Sequence, residues 1–475
     1  MIKKQLYIGG EWLEAKSYTK LTAPYSGEAL AEIPLADREE TERAIEAAYA
    51  ARGVMAKLPA HKRAAILETL SRLLTERAGE AARLIAMEAA KPLKAALAEV
   101  DRTIQTYKFA AEEAKRLSGE MIPLDAAPGG EGRIAYTMKE PIGVIGAITP
   151  FNFPMNLVAH KVGPAIASGN TIVLKPASQT PLSALFLAEL LEEAGLPAGA
   201  LNVVTGSGSI IGDVIVKHDK VKAISFTGSP KVGIGIRNQA DLKRVALELG
   251  SNSALIIDKG VPLSKIIPRC VVGAFSYQGQ VCISLQRIYV HANHYDEFVA
   301  GFCEAAAKLK VGDPLDPDTD LSAMITQGDV SRALSWIEEA VQQGAVVACG
   351  GGTSSAQILQ PTVLLEVSRS AKVSCEEVFA PIVLINRIRD VEEGIQLIND
   401  SRFGLHAGIY TDNIHTALDA AEKLHVGGVM INDIPTFRVD HMPYGGVKES
   451  GLGREGVKYA IDEMTEIKTV IINRT

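Results

Sequence analysis

The chain has 475 residues, 47% of them hydrophobic, so it is too long for one ordinary core and too apolar to be disordered. Its net charge of −7 excludes a general binder of nucleic acid or of anionic membrane, since either needs a basic face. Five scattered cysteines with no CxxC exclude a disulfide framework, the N-terminus MIKKQLYIGGEW is too polar for a signal peptide, and no apolar run approaches spanning length, so a soluble cytoplasmic protein is expected.

Residues 38–118 are rich in Ala, Glu, Arg and Leu at helical spacing, with Asp37 as N-cap and Pro59 and Pro92 as breaks. After Pro141 short apolar runs alternate with helical stretches. IGVIGAITP (142–150), TIVLKP (171–176), LNVVTG (201–206) and AISFTG (223–228) read as strands with helices between them, which predicts βαβ units and a parallel sheet. Ligands bind at the carboxyl ends of such strands. From SALIID (253–258) a second series begins, with QRIYVH (286–291), APIVLINRI (380–388), AGIYT (407–411) and GGVMIND (427–433). RIAYTMKEP (133–141) and the tail IKTVIINRT (467–475) read as exposed strands outside both series, a kind that often pairs with another subunit.

Metal chemistry is not expected. The pair in HANH (291–294) lacks acidic or thiol partners and reads as a surface feature at a strand end.

Several short stretches carry chemistry. SYQGQVCISLQR (276–287) holds Cys282 with no second cysteine nearby, either as buried filler or as a nucleophile. ALELGSNS (246–253) puts Glu248 at the end of an apolar strand, where a carboxylate is costly unless paired or functional. TPFNFP (149–154) holds Asn152 in a stiff turn, able to aim an amide at a developing oxyanion or to serve the turn itself. FTGSPKVG (226–233) places Gly228 and Gly233 at a strand-to-helix turn, where glycine lets a pyrophosphate approach the backbone. The spacing is not GxGxxG, so a plain βα turn stays open. Lys175 lies just past a strand end in VLKPASQTP, within reach of a ribose or phosphate, or simply solvated.

Together with EEVFAP (376–381) and MPYGGVKESGLGREG (442–456), these motifs resemble those of the aldehyde dehydrogenase superfamily, in order and spacing, over essentially the whole chain. The resemblance implies an α/β fold: a Rossmann-like parallel-sheet cofactor domain (1–122 and 142–250), a second α/β catalytic domain (251–433) and a small β oligomerisation arm (123–141 and 457–475). It implies a homo-oligomer, dimer or tetramer. Cys282 would be the nucleophile, Asn152 and the Cys282 N–H the oxyanion donors, and Glu248 the base that activates water against a thioester. Branches that pass the acyl group to coenzyme A commonly lack such a glutamate, so water is the expected acceptor.

On the cofactor side the resemblance assigns Gly228, Ser229 and Gly233 to the pyrophosphate and Lys175 to the adenosine ribose. Glu377 goes to the nicotinamide ribose, Phe379 to its ring, and Ile148, Thr149 and Pro150 to the groove. NAD-preferring members commonly carry a glutamate where this chain has Ser178. Serine removes the charge that would repel a 2′-phosphate, so NADP is expected over NAD. KPASQTP also resembles the run in NADP-using succinate-semialdehyde dehydrogenases.

The closest texture is that of lactaldehyde, sulfolactaldehyde and non-phosphorylating glyceraldehyde-3-phosphate dehydrogenases. Lys108, Arg438 and His441 would face the substrate, a small hydroxylated or anionic aldehyde, although each is equally readable as a surface or ion-paired residue. Val281 and Phe153 depart from the phosphate-using pattern and weaken phosphate binding in particular. A succinate-semialdehyde dehydrogenase is the alternative within the family, and a cysteine esterase or a silent scaffold protein the alternatives outside it.

Overall fold

A computed structural model describes residues 2–355 and 357–474. Two sheets organise the chain. The first has eight strands, of which five form a parallel core in the spatial order Arg244–Glu248, Val221–Thr227, Val144–Ile148, Thr171–Lys175 and Leu201–Val203. Read from Val144–Ile148, the chain goes first one way across the sheet and then the other. The point of reversal lies between Ile148 and Thr227, and the crevice beyond their carboxyl ends is where such sheets take ligands.

Both faces of this sheet are covered, as the near-continuous apolar runs of its strands require. Ile145, Ala147, Ile172 and Leu174 join one core, with helices Ala60–Glu76, Leu93–Ala114, Asn156–Ser168 and Leu182–Glu193. Val144, Val173, Ile224 and Phe226 join the opposite one, with Arg38–Lys57 and Asp213–Lys217. Gly146 has no room for a side chain: a Cβ there would fall 2.3 Å from Ile215 Cγ2. The helical region is bounded as its residues predict. Asp37 accepts from the Glu40 N–H at 3.0 Å while Glu40 reaches back to the Asp37 N–H at 2.8 Å, and Pro59 and Pro92 precede the next helices.

The second sheet has seven strands in the order Val346–Cys349, Thr362–Leu365, Ile382–Ile388, Arg287–His291, Ala254–Ile257, His406–Tyr410 and Gly428–Ile431, antiparallel only at the first. A third sheet pairs Arg133–Pro141 with Thr465–Asn473 in antiparallel register from Pro141↔Thr465 to Arg133↔Asn473. The two outlying strands therefore pair with each other over nine residues each, and alternate residues along them find backbone partners within the same chain.

Two segments join the first domain that sequence patterning does not put there. The helix Val457–Glu463, expected with the arm, sends Val457 and Ile461 into the first core beside Asn156–Ser168. The glycine-rich run before it adds the short strand Gly451–Leu452 to the sheet edge, antiparallel to Leu247–Glu248.

Candidate active site

The strand ends, the loop before Asn156–Ser168 and the cysteine loop converge between the two sheets. Cys282 lies in a turn after the helix Leu263–Phe275, and its approach is conformationally strained. Tyr277, Gln278 and Gly279 all have positive φ, at 48°, 54° and 67°. Gln278, buried, donates to the carbonyls of Ala90 and Ala323 at 3.0 and 2.8 Å, and the Tyr277 hydroxyl donates to Ala89 at 3.0 Å. These bonds from distant segments hold two side-chain-bearing residues in a region that costs each of order 1 kcal/mol or more.

Cys282 lines two cavities. One, of about 520 Å³, is bounded by Phe153, Leu157, Tyr277, Arg102, Arg438 and Tyr444 among others. The other, of about 290 Å³, is bounded by Pro150, Asn152, Gly228, Ser229, Glu248, Glu377 and Phe379, with Arg332 and Trp336 from the second domain. Burial pushes the thiol up to about 11, against the pull of a hydrogen bond with Tyr444 and of the Arg438 guanidinium. Among the described residues the hydrogen-bond partner of Sγ is Tyr444 Oη, at 3.1 Å, and not a histidine.

Asn152 is buried, with Nδ2 donating to the Gln280 carbonyl at 3.0 Å and Oδ1 without a partner. Its backbone carbonyl accepts from the buried Lys91 at 2.6 Å, and Lys91 also pairs with Glu99. Glu99 in turn accepts from the N–H groups of Met155 and Asn156 at 2.9 and 3.1 Å, so a buried ion pair fixes the whole turn. No hydrogen bond from a described backbone N–H or side chain reaches the Glu248 carboxylate. Burial, then Glu455, raises its pKa well above the ordinary value, outweighing Arg438 and Lys161.

Behind Glu248 runs a buried polar chain. Lys161 donates to Ser225 and Thr227 hydroxyls at 3.1 and 2.8 Å and to Glu455 at 3.1 Å. Glu455 accepts from Arg438 at 3.0 Å. Burial alone would raise the Glu455 carboxyl, but Lys161, His160 and Arg438 outweigh it and hold it at about 2. Asp440 accepts a two-point contact from Arg102 at 2.7 and 3.0 Å, contacts His160 Nε2 at 2.8 Å, and accepts from Asn156 at 3.0 Å.

The second cavity fits a dinucleotide. Its floor is the switch point of the sheet, and a Cβ on Gly228 would fall 2.6 Å from the Phe226 ring, so only glycine keeps that turn open. Ser229 precedes the helix Pro230–Gln239 and makes no side-chain cap, leaving the first N–H groups of that helix for an anion. Phe379 stands at φ 49° with its ring edge-on to Phe151 at 5.8 Å. Glu377 accepts from the Ser251 N–H at 3.0 Å, and burial lifts its carboxyl to about 7.

Further along the crevice Ile148 and Lys175 end neighbouring strands in register, and the buried Thr149 donates its N–H to the Lys175 carbonyl at 3.2 Å. Lys175 donates to the Pro176 carbonyl at 2.9 Å, and burial depresses it to about 8. Ser178 is exposed and donates to the Gly206 carbonyl at 2.9 Å. Gly233 lies one turn into its helix, where a Cβ would strike Leu249 Cδ2 at 2.4 Å, so it packs helix on strand and is absent from the lining of the second cavity.

The three residues expected at the substrate end are not brought together. Arg438 lines the first cavity, stacks 3.6 Å over the Tyr444 ring and pairs with Glu455, while its Nε has no partner. Lys108 and His441 are exposed and line neither cavity, and His441 packs its ring on Phe109 instead. The helix Leu93–Ala114 presents Arg102 and Lys94 to the cavity, on turns nearer its N-terminus than Lys108. The helical pattern shows that this helix is amphipathic but not which polar side chain meets a cavity wall built by residues such as Phe153, Tyr277 and Arg438 from other elements.

A cysteine-bearing loop facing a sheet switch point across a two-sided crevice is the arrangement of a nucleotide-dependent oxidoreductase of two α/β domains. The chain belongs to the aldehyde dehydrogenase family: residues 12–470 match the family's sequence profile. It is thus an enzyme of the class that oxidises aldehydes with a pyridine nucleotide. It is similar to a 3-sulfolactaldehyde dehydrogenase of Priestia aryabhattai, with 45% identity covering 98% of each chain. It is also similar to a lactaldehyde dehydrogenase of Methanococcus aeolicus, with 43% identity over 98% of this chain and all of the relative. Among solved structures it resembles glyceraldehyde-3-phosphate dehydrogenase GapN of Methanocaldococcus jannaschii, complexed with NADP, at 42% identity and a TM-score of 0.93, over 96% of this chain and 100% of that one.

Proposed function

We propose that the protein oxidises a small hydroxylated or anionic aldehyde, of the lactaldehyde, sulfolactaldehyde or glyceraldehyde-3-phosphate type, to its carboxylate. The observation that carries this reading is the position of Cys282 as a residue common to both cavities, with an aldehyde pocket on one side and a nucleotide crevice on the other. The Cys282 thiolate attacks the carbonyl carbon. The second N–H of the Asn152 amide and the Cys282 backbone N–H hold the oxyanion. When bound, the pyridine nucleotide would supply the acceptor for the hydride that leaves the adduct carbon, and the acyl group would remain on Cys282 as a thioester. Glu248 then takes a proton from water, which cleaves the thioester and releases the acid. Gly228, Ser229 and the following helix terminus would hold the pyrophosphate, Glu377 and Phe379 the nicotinamide end, and Lys175 the adenosine ribose.

NADP is the favoured nucleotide. Ser178 leaves no carboxylate against a 2′-phosphate, and the buried Lys175, its charge depressed by desolvation, gains from an anion beside it. GapN, bound to NADP, supports the same reading.

For the substrate, Arg102 takes the place given to Lys108. Arg438 and Arg102 are partly neutralised by Glu455 and Asp440, so the pocket attracts a negative group without demanding one. The unpartnered Arg438 Nε suits a sulfonate or phosphate at the end of a short chain, and the Thr436 hydroxyl, which donates to the Ile283 carbonyl at 3.0 Å, can accept from a substrate hydroxyl. The exposed strands of the third sheet suit a homo-oligomer.

The test is an aldehyde panel run with NAD and NADP separately: lactaldehyde, sulfolactaldehyde, glyceraldehyde-3-phosphate and succinic semialdehyde. The expected result is turnover of the hydroxylated members with NADP preferred. Indifference to negative charge removes the roles of Arg102 and Arg438, and preference for NAD removes that of Ser178. Ester hydrolysis without aldehyde oxidation would establish a cysteine hydrolase instead.

A further inference from the structure

Tyr444 belongs to the MPYGG stretch, yet nothing in the reaction as described above uses it. Its side chain is held from all sides. The backbone N–H donates to the Glu455 carbonyl at 3.0 Å and the carbonyl accepts from the Glu455 N–H at 2.7 Å. The Arg438 guanidinium lies 3.6 Å over one face of the ring, and His406 meets it edge-on with centroids 5.1 Å apart. The residue is 2% exposed, so its hydroxyl cannot turn to bulk water. The hydroxyl has one hydrogen-bond partner among the described residues, the Cys282 sulfur at 3.1 Å.

We propose that Tyr444 is a catalytic residue, whose hydroxyl donates a hydrogen bond to the Cys282 thiolate and so sets the fraction of enzyme in the nucleophilic form. Direction of donation follows from charge. Burial holds the phenol well above its ordinary range, so Oη keeps its proton throughout, and a thiolate has only lone pairs to offer. Hydrogen bonds to a charged acceptor are roughly twice as strong as neutral ones. The bond therefore favours thiolate over thiol, against the burial that disfavours it, and Arg438 across the ring adds to the same side. Once sulfur bonds to carbon it carries no charge, and the bond weakens. Its contribution is to the population of nucleophile before attack.

This role rests on Cys282 as the nucleophile proposed above, and the test separates the two. The pH dependence of Cys282 alkylation by iodoacetamide, with the modified site assigned by mass spectrometry, reads the thiolate without any aldehyde. In Tyr444→Phe, which keeps the ring and its contacts, the midpoint should rise by about one pH unit or more, the effect of losing one charge-assisted hydrogen bond. Placing 3,5-difluorotyrosine at position 444, a stronger donor of nearly the same shape, should lower it. An unchanged midpoint in both variants, each showing wild-type circular dichroism, overturns the role of Tyr444. If Tyr444→Phe does not fold, the difluorotyrosine enzyme alone decides by the sign of its shift. Failure of the nucleophile reading shows separately, as aldehyde oxidation that survives Cys282→Ala.

Discussion

In the proposed reaction Asn152 and Glu248 would serve different halves, and their surroundings differ. Asn152 is pinned through its backbone by Lys91, so truncating the side chain should leave the turn in place and remove one oxyanion donor. We expect Asn152→Ala to lower kcat by about 100- to 1,000-fold with KM little changed, measured by steady-state oxidation of the best aldehyde. Burial and the neighbouring Glu455 raise the Glu248 carboxyl well above its ordinary value. Its base form appears only as pH rises past that raised value, so the deacylation rate should climb well above the pH at which an ordinary glutamate, near 4.5, has already ionised. Stopped-flow traces should show this limb in the wild type. Glu248→Gln should lose it, giving a burst of reduced nucleotide followed by a rate about 100-fold or more lower. The motifs of Asn152 and Glu248 stand out in the sequence through their resemblance to the family, since read alone each also fits a turn amide or a strand-end ion pair. Tyr444 and Arg102 do not stand out, because what they touch lies on other elements.

At the level of single elements, capping and glycine placement decide much of the geometry. The helix Leu182–Glu193 begins after Pro181 with no side-chain cap of its own. Glu88, from the helix Ala78–Ala89, supplies one across space. It is buried and accepts from the N–H groups of Leu182 and Ser183 at 2.8 and 3.0 Å and from the Ser183 hydroxyl. Glu88→Ala should cost about 1–3 kcal/mol in urea unfolding, the penalty for orphaned buried donors. Burial lifts this carboxyl to about 7 from the 4.5 of an exposed glutamate. Its stabilising share is therefore complete below 4.5 and declines as pH rises through about 7, and Glu88→Gln should flatten that decline. Strands and helices of the first series fall where apolar periodicity places them, from Val144–Ile148 to Pro230–Gln239. The cap does not show in the sequence, since Glu88 reads as one more polar residue on an amphipathic helix.

Across the whole molecule, the third sheet stands out because it leaves large apolar side chains uncovered. Ile467 and Ile471, on one face of the C-terminal strand, are 72% and 56% exposed. Their patch suits a second copy of this chain. In the proposed homo-oligomer, replacing both with glutamate should give smaller species by light scattering after size-exclusion chromatography, with circular dichroism unchanged. An unaltered mass would move the interface elsewhere.

The sequence by itself determined the two α/β series, because hydrophobic period acts over a few residues, and its motifs marked Cys282, Glu248 and Gly228 as candidates through their resemblance to the family. Only the tertiary structure decided that the arm strands pair with each other, that the helix Val457–Glu463 packs into the first core, and that Arg102 rather than Lys108 meets the substrate cavity. It alone set Tyr444 beside the Cys282 sulfur and paired the buried Lys91 with Glu99 and Lys161 with Glu455. Those outcomes depend on contacts between residues far apart in the chain, and the energy of burying a charge or a hydroxyl is fixed by its partner, which local patterning does not name.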